Sequence, residues 1–225
     1  MRLNQVRKMT QLNPPKSITH PVERDVEHEM EMNVLGMWIF LIGEVLFFGA
    51  LFTAYMVYRY YYPETFAEAS RTLDVVLGTI NTFILLTSSL TMALAVNAAQ
   101  IGKRKLLVAF LLLTVLLGLA FVGIKGYEYL HKIDEGLFPG SGFIYPGENP
   151  GQARMFFSLY FIMTGLHAIH MLLGMGVLVL LAILAWFGVF NTTNYAPIEL
   201  TALFWHFVDL VWIFLFPLLY LIDRV

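Results

Sequence analysis

Cysteine is absent from the 225-residue sequence. That removes disulfides, thiolate metal sites, iron–sulfur clusters and cysteine nucleophiles together, and leaves His and carboxylates as the only ligands for a metal. Charge is the second scarcity: 13% of the residues are Asp, Glu, Lys or Arg, against roughly a quarter in soluble domains. A formal net charge of −2 gives no electrostatic case for nucleic acid or for an acidic substrate. No internal repeat is evident, no soluble domain follows the apolar part, and the polar leader has no signal-peptide core. What remains is apolar, with 58% hydrophobic residues and a mean hydropathy of +0.69. Such a composition is that of an integral membrane protein.

Five segments, at about 34–60, 75–99, 106–124, 156–187 and 200–222, reach the roughly 20 apolar residues a helix needs to cross a bilayer. The expected fold is all-α, a bundle of five transmembrane helices over residues 33–225, behind a polar tail, 1–32, in the aqueous phase. The fourth segment exceeds a perpendicular span, a surplus to be absorbed by tilt or by extension beyond the membrane. Arg2, Arg7, Lys8, Lys16 and Arg24 in the tail and the compact Lys103-Arg104-Lys105 loop place the N-terminus in the cytoplasm and the C-terminus outside. Arg59, Arg71, Lys125, Lys132 and Arg154 fall on the other side, in the loops 63–73 and 126–154 or beside them. The Gly, Pro and Tyr of 136–151 suggest a folded surface loop able to dock on a neighbouring subunit.

Several polar groups sit where hydrocarbon is expected. Glu44 lies inside the charge-free run 34–58, where an ionisable group costs at least a few kcal/mol. It must face a partner protein, a lipid headgroup or water, or stay protonated. In the fourth span His167 and His170 share a face with Tyr160, Met163 and Gly174; in the fifth, Glu199, His206, Asp209 and Ile213 share another. Both stripes are expected to look inward, with Trp205 and Trp212 about a quarter-turn away at a lipid or protein boundary, and Trp38 likewise an interface aromatic. Asn81, Thr82, Thr87, Ser88, Ser89 and Thr91 supply helix-to-helix hydrogen bonds, and Gly43, Ala50 and Ala54 a small-residue face for close contact. The bland reading of His167, His170 and His206 is interhelical hydrogen bonding; haem or metal ligation is the alternative. Asp209 with His206 reads as a buried polar pair, Glu128 as an interfacial carboxylate.

These residues also carry a resemblance. Gly43-Glu44-Val45-Leu46-Phe47-Phe48, Gly102-Lys103-Arg104-Lys105, Tyr127-Glu128-Tyr129, Thr164-Gly165-Leu166-His167-Ala168-Ile169-His170 with Gly174, and Trp205-His206-Phe207-Val208-Asp209-Leu210-Val211-Trp212 follow in this order. From about Asn33 to the C-terminus the chain resembles subunit III of the haem-copper oxidases, the cytochrome c oxidase subunit 3 family. The resemblance implies an accessory subunit with no catalytic residue, metal or redox cofactor of its own. The haems and copper would lie in partner subunits. Subunit I would be the direct partner, subunit II and small subunits would complete the complex, and phospholipids would be bound. In the family a lipid-holding cleft divides two helix groups, the carboxylate matching Glu44 reacts with carbodiimides, and the subunit keeps proton uptake fast and prevents turnover-linked inactivation.

Mitochondrial-type members have seven spans; the segments here match the last five, as in short bacterial forms, so the first helix group of the cleft is incomplete or supplied by another chain. The implied location is the bacterial inner membrane. Short forms also occur in quinol oxidases and beside nitric oxide reductases; Glu44 leans toward the cytochrome c type. Two other classes stand beside this reading: a membrane cytochrome with His167 or His170 and His206 as axial ligands, and a small transporter with Glu44, Asp209 and Glu128 around an aqueous path.

Overall fold

The computed structural model describes residues 21–190, 192 and 194–222, with side chains from Met32 onward. Arg2, Arg7, Lys8 and Lys16 of the tail, and the side chains of Glu23 to Glu31, lie outside the described residues. In chain order the elements are α1 (Pro21–Tyr61), α2 (Pro63–Arg71), α3 (Val75–Gln100), α4 (Arg104–Asp134), α5 (Pro150–Phe187), α6 (Ala196–Phe216) and a π-helical turn, Pro217–Leu221. No strand occurs among the described residues. Five helical stretches are long and apolar enough to cross a membrane: Met32–Tyr61, Val75–Gln100, Arg104–Asp134, Pro150–Phe187 and Ala196–Leu221. The chain divides into two compact units, residues 1–39 and residues 40–225.

The largest departures from the sequence reading are three, beside earlier starts of α5 at Pro150 and α6 at Ala196. The first helix begins at Pro21, inside the stretch read as tail. Proline suits a helix start because its missing N–H would be unsatisfied there anyway, and the Glu and Met residues that follow are good helix formers. The loop 63–73 contains α2, with Pro63 at its start, Glu64 in the first turn and Arg71 in the last, the charge order a helix dipole favours. The third span runs ten residues past Ile124 to Asp134, because Lys125, Glu128, Lys132 and Glu135 pair along one helix face and do not need a loop to reach water.

Between α2 and α3 the chain turns on Asp74, whose carboxylate accepts the Val76 and Leu77 N–H groups at 2.8 and 3.1 Å. These are two of the four donors that every helix start leaves unpaired. Asp74→Ala is expected to lower unfolding stability by about 1 kcal/mol, read from the denaturation midpoint in detergent, while Asp74→Asn restores most of it.

α3, α4, α5 and α6 form a ring in which each helix packs on the next and α6 closes back on α3. Glycines set the closest approaches. A Cβ on Gly118 would sit 2.8 Å from the Met175 Sδ and 3.1 Å from the Trp205 ring, and one on Gly174 would sit 3.1 Å from Phe204 and Trp205. The two glycines therefore make room for one indole at the centre of the ring. From Phe40 onward α1 meets the ring through Leu41, Phe48 and Tyr55, all buried and seven residues apart, which is one helix face. Within this chain Gly43 and Ala50 make no close helix contact, and Ala54 is half-buried. Nothing lies within 4 Å of a Cβ placed on Gly43, and Ala50 is exposed. The large side chains reach the ring where the small ones would have required the backbones to touch.

The loop 136–151 folds on its own chain. Leu137 and Tyr145 are buried, Ile144 donates its N–H to the Gly136 carbonyl at 2.9 Å, and the Tyr145 ring lies 6.4 Å from that of Phe157. Burial first, and then the Glu68 carboxylate, push the Tyr145 phenol up to about 12, so it stays neutral.

Candidate functional site

Glu44 finds its partner within the chain. Its carboxylate lies 3.1 Å from the His170 Nε2, with 19% and 15% of the two side chains exposed. The other ring nitrogen of His170 meets the Leu166 carbonyl at 2.8 Å, a bond an imidazole makes only as donor, which fixes the ring's orientation. Phe48, one turn beyond Glu44, sets its ring edge-on to His170 at 5.3 Å. The pair links α1 to α5 in a place where neither group has water enough to stand alone.

A second polar centre lies toward the other end of α4. The Lys125 ammonium donates to Glu128 Oε2 at 2.9 Å, to the Tyr220 hydroxyl at 2.7 Å and to the Tyr160 hydroxyl at 3.2 Å. The second Glu128 oxygen accepts from Tyr160 at 3.0 Å and from Tyr220 at 2.6 Å. Lys125 and Glu128 are 4% and 2% exposed. Both carboxylate oxygens and all three ammonium donors are thereby used, which is the condition for a buried ion pair to be tolerated. Trp212 stacks its face toward the ammonium at 5.3 Å, and Tyr129 hydrogen-bonds Thr164 beside it. One turn on, Lys132 donates to Glu135 at 2.6 Å and to the Thr72 carbonyl at 2.8 Å.

Tyr220 reaches this centre because the chain widens after α6. Pro217 lacks an N–H and opens a turn in which Ile222 donates to the Pro217 carbonyl at 3.2 Å, an i→i−5 bond. The carbonyls this turn leaves free are taken from outside: Tyr55 of α1 donates to Leu218 O at 3.1 Å, Ser70 of α2 to Leu219 O at 2.8 Å. The turn therefore collects α1, α2, α4 and α5 at one point.

The polar face of α3 divides its work. Thr82 accepts from the Trp212 indole at 3.1 Å, Ser88 from the Trp205 indole at 2.9 Å, Ser89 meets His206 Nδ1 at 2.6 Å, and Thr91 bonds Thr114 of α4 at 2.8 Å. Thr87 instead bonds its own Phe83 carbonyl. Trp205 and Trp212 are fully buried, which corrects their reading as boundary aromatics: each indole N–H has a hydroxyl on α3, so the polar handle that usually keeps Trp at an interface is satisfied inside. Trp38 is 52% exposed.

The fifth-span stripe is not a unit. Asp209 is buried, His206 turns to Ser89, Glu199 accepts from Gln100 at 2.9 Å near the helix start, and Ile213 is exposed. His206 and Asp209 make no bond to each other. The polar atoms of Asp209, His167 and Asn81 have no hydrogen-bond partner among the described residues; His167 lies between Phe121 at 5.4 Å and Trp212 at 5.3 Å. Glu128, read from sequence both as an interfacial carboxylate and as a buried packing group, is enclosed, as the second reading has it. Lys125, Tyr220 and the indole–hydroxyl pairs were missed, although a lysine three residues before Glu128 shares its helix face. Among the described residues no three His, Asp or Glu side chains converge to share a metal ion.

Fold and site together define a multi-pass helical membrane protein in which most of the buried polar groups tie its own helices to one another, Asp209, His167 and Asn81 excepted. The model of the family "Cytochrome c oxidase subunit III" matches residues 24–223, and the chain belongs to that family. Among its relatives are proteins named "Probable quinol oxidase subunit 3". The one from Staphylococcus haemolyticus (strain JCSC1435) is 34% identical over 198 residues, 88% of this chain and 92% of the relative. Those from Staphylococcus saprophyticus subsp. saprophyticus and Staphylococcus aureus (strain USA300) are 33% identical over the same shares. The chain is thus subunit III of a haem-copper oxidase, an accessory member of a respiratory complex with other oxidase subunits.

Proposed function

We propose that this subunit packs directly on catalytic subunit I in a bacterial inner membrane, beside subunit II and small subunits, and keeps proton uptake fast while slowing turnover-linked inactivation. The observation that carries this reading is the Glu44–His170 pair at 3.1 Å. It pins α1 to the ring by one narrow stripe, and leaves the apolar side chains Ile42, Val45, Leu46 and Phe47 turned outward, toward lipid or subunit I. His170 and His206 commit ring nitrogens to Glu44, Leu166 and Ser89, which supports placing the haems and copper in the partner subunits. Bound phospholipid fits the same role.

Glu44 favours a cytochrome c donor. The name carried by the staphylococcal relatives favours quinol, and that is the second reading. Complex captured through a tag on this chain in mild detergent separates them by oxygen uptake with each reduced donor. A reduced-minus-oxidised spectrum taken before and after the chain is stripped off tests the accessory role: haem is expected to stay entirely with the partners, and haem remaining on the chain overturns it.

Glu44→Gln removes the charge of the pair and is expected to cost about 1 kcal/mol of α1 docking, hastening inactivation roughly fivefold while initial turnover of intact complex stays near wild type. Abolished first turnovers in fully assembled enzyme would sink the proposal.

A further inference from the structure

A groove on the outer surface of α4 and α5 has the makings of a site for one anionic phospholipid. It is lined by α4 and α5 alone, so it is separate from the α1 contact that holds Glu44. Its outer part, about 530 Å³, lies among Arg104, Lys105, Val108, Ala109, Leu112 and Trp186. It continues as a second hollow of about 330 Å³ along Val108, Leu112, Val179 and Ile183.

Polarity is graded along its length. Arg104 and Lys105 stand at one end, next to Lys103, and the wall beyond them is apolar. Arg104 is the first residue of α4, and no side chain caps that helix start. None of these three cations forms an ion pair with a described residue. The Arg104 guanidinium lies against the end of α5, where a Cβ on Gly188 would sit 3.1 Å from its Nη1. Gly188, at φ 81°, ends α5 in a left-handed conformation that a side chain would strain, so glycine both closes the helix and leaves room for the guanidinium. Trp186 flanks the mouth, at the headgroup level where tryptophan is enriched. From Arg104 to Leu112 the groove follows α4 for about 12 Å, close to the roughly 15 Å of hydrocarbon in one leaflet.

We propose that this groove binds an anionic phospholipid, its phosphate between Arg104 and Lys105 and one acyl chain along Val108, Leu112 and Ile183. Cations at the mouth and hydrocarbon below match a lipid of net negative headgroup better than a zwitterionic one, since each basic residue near the surface favours the anion roughly fivefold. A transmembrane helix of another subunit would leave the free cations unmatched, which is why lipid is the occupant. The inference rests on the groove and holds whichever donor the complex uses.

The test uses the assembled complex, delipidated and then titrated with phosphatidylglycerol or with phosphatidylcholine of the same acyl chains, with bound lipid counted on this subunit by native mass spectrometry. Phosphatidylglycerol is expected to be retained on the wild type more tightly than phosphatidylcholine, and Arg104→Gln with Lys105→Gln to weaken that retention by roughly thirtyfold. Ile183→Trp, which fills the groove without touching a charge, is expected to lower retention of both lipids. Equal retention of the two lipids on the wild type overturns the proposal, as does unchanged retention in both variants, or a crosslink from position 183 to a partner protein in place of lipid. The haem spectrum of the same preparation reports separately on the oxidase assignment.

Discussion

Lys125→Met is expected to destabilise the subunit by about 3–5 kcal/mol, the usual cost of leaving one charge of a buried pair uncompensated. The ammonium holds three acceptors at once: Glu128, Tyr160 and Tyr220. Without it the Glu128 carboxylate keeps two phenol donors but no cation, and Tyr220 loses the contact that draws the π-helical turn onto α4. The second substitution is the informative one. Lys125→Met with Glu128→Leu removes both charges and fills the volume with hydrocarbon, and is expected to recover more than half of the loss. Denaturation midpoints of the purified subunit, or the detergent concentration at which it leaves the complex, measure both. Equal instability of single and double variants would show that the tyrosines, and not the charge pair, hold the turn.

Trp205→Ala should remove a comparable amount, about 3–5 kcal/mol, as a large aromatic lost from a packed interior does. Its ring fills the space that Gly118 and Gly174 leave open, and its indole N–H ties α6 to Ser88 of α3 at 2.9 Å. All four ring helices therefore lose a contact: α6 the side chain itself, α3 the bond to Ser88, and α4 and α5 the neighbour of Gly118 and Gly174. Trp205→Phe keeps most of the apolar surface and gives up one hydrogen bond, so about 1 kcal/mol is expected. A denaturation series over the two variants separates packing from hydrogen bonding. If Phe is as damaging as Ala, the Ser88 bond carries the effect.

The helices were legible because their signal is cumulative. Twenty apolar residues make a span whatever surrounds them, and every expected span is found as a helix, with the large departures at the start of α1 and the end of α4. At the end of α4 the signal failed for a definite reason: Lys125, Glu128, Lys132 and Glu135 look like loop to any hydropathy reading, yet their i,i+3 pairing lets the helix carry them inward. The same limit hid the partner of Glu44. Sequence showed that the carboxylate must have a partner, and His170 was already named on another helix, but nothing in the spacing within either helix says that the two faces meet. Trp205 and Trp212 show the converse error. Tryptophan at a membrane helix surface is usually interfacial, and only the position of Ser88 and Thr82 across the interface makes burial the better state for these two.

Composition and motif order alone establish a cysteine-free membrane protein of five spans, its family, and the need to accommodate Glu44, His167, His170, His206 and Asp209 within hydrocarbon. These properties depend on composition and on period along one helix, which the chain carries locally. The tertiary structure decided who pairs with whom between helices: Glu44 with His170, Glu128 with Tyr160 and Tyr220, the indoles with hydroxyls of α3. Without a hydrophobic force between helices in lipid, such pairings are settled by shape and hydrogen bonding across interfaces, between residues about 30 to 130 positions apart, where no periodicity in the sequence can record them.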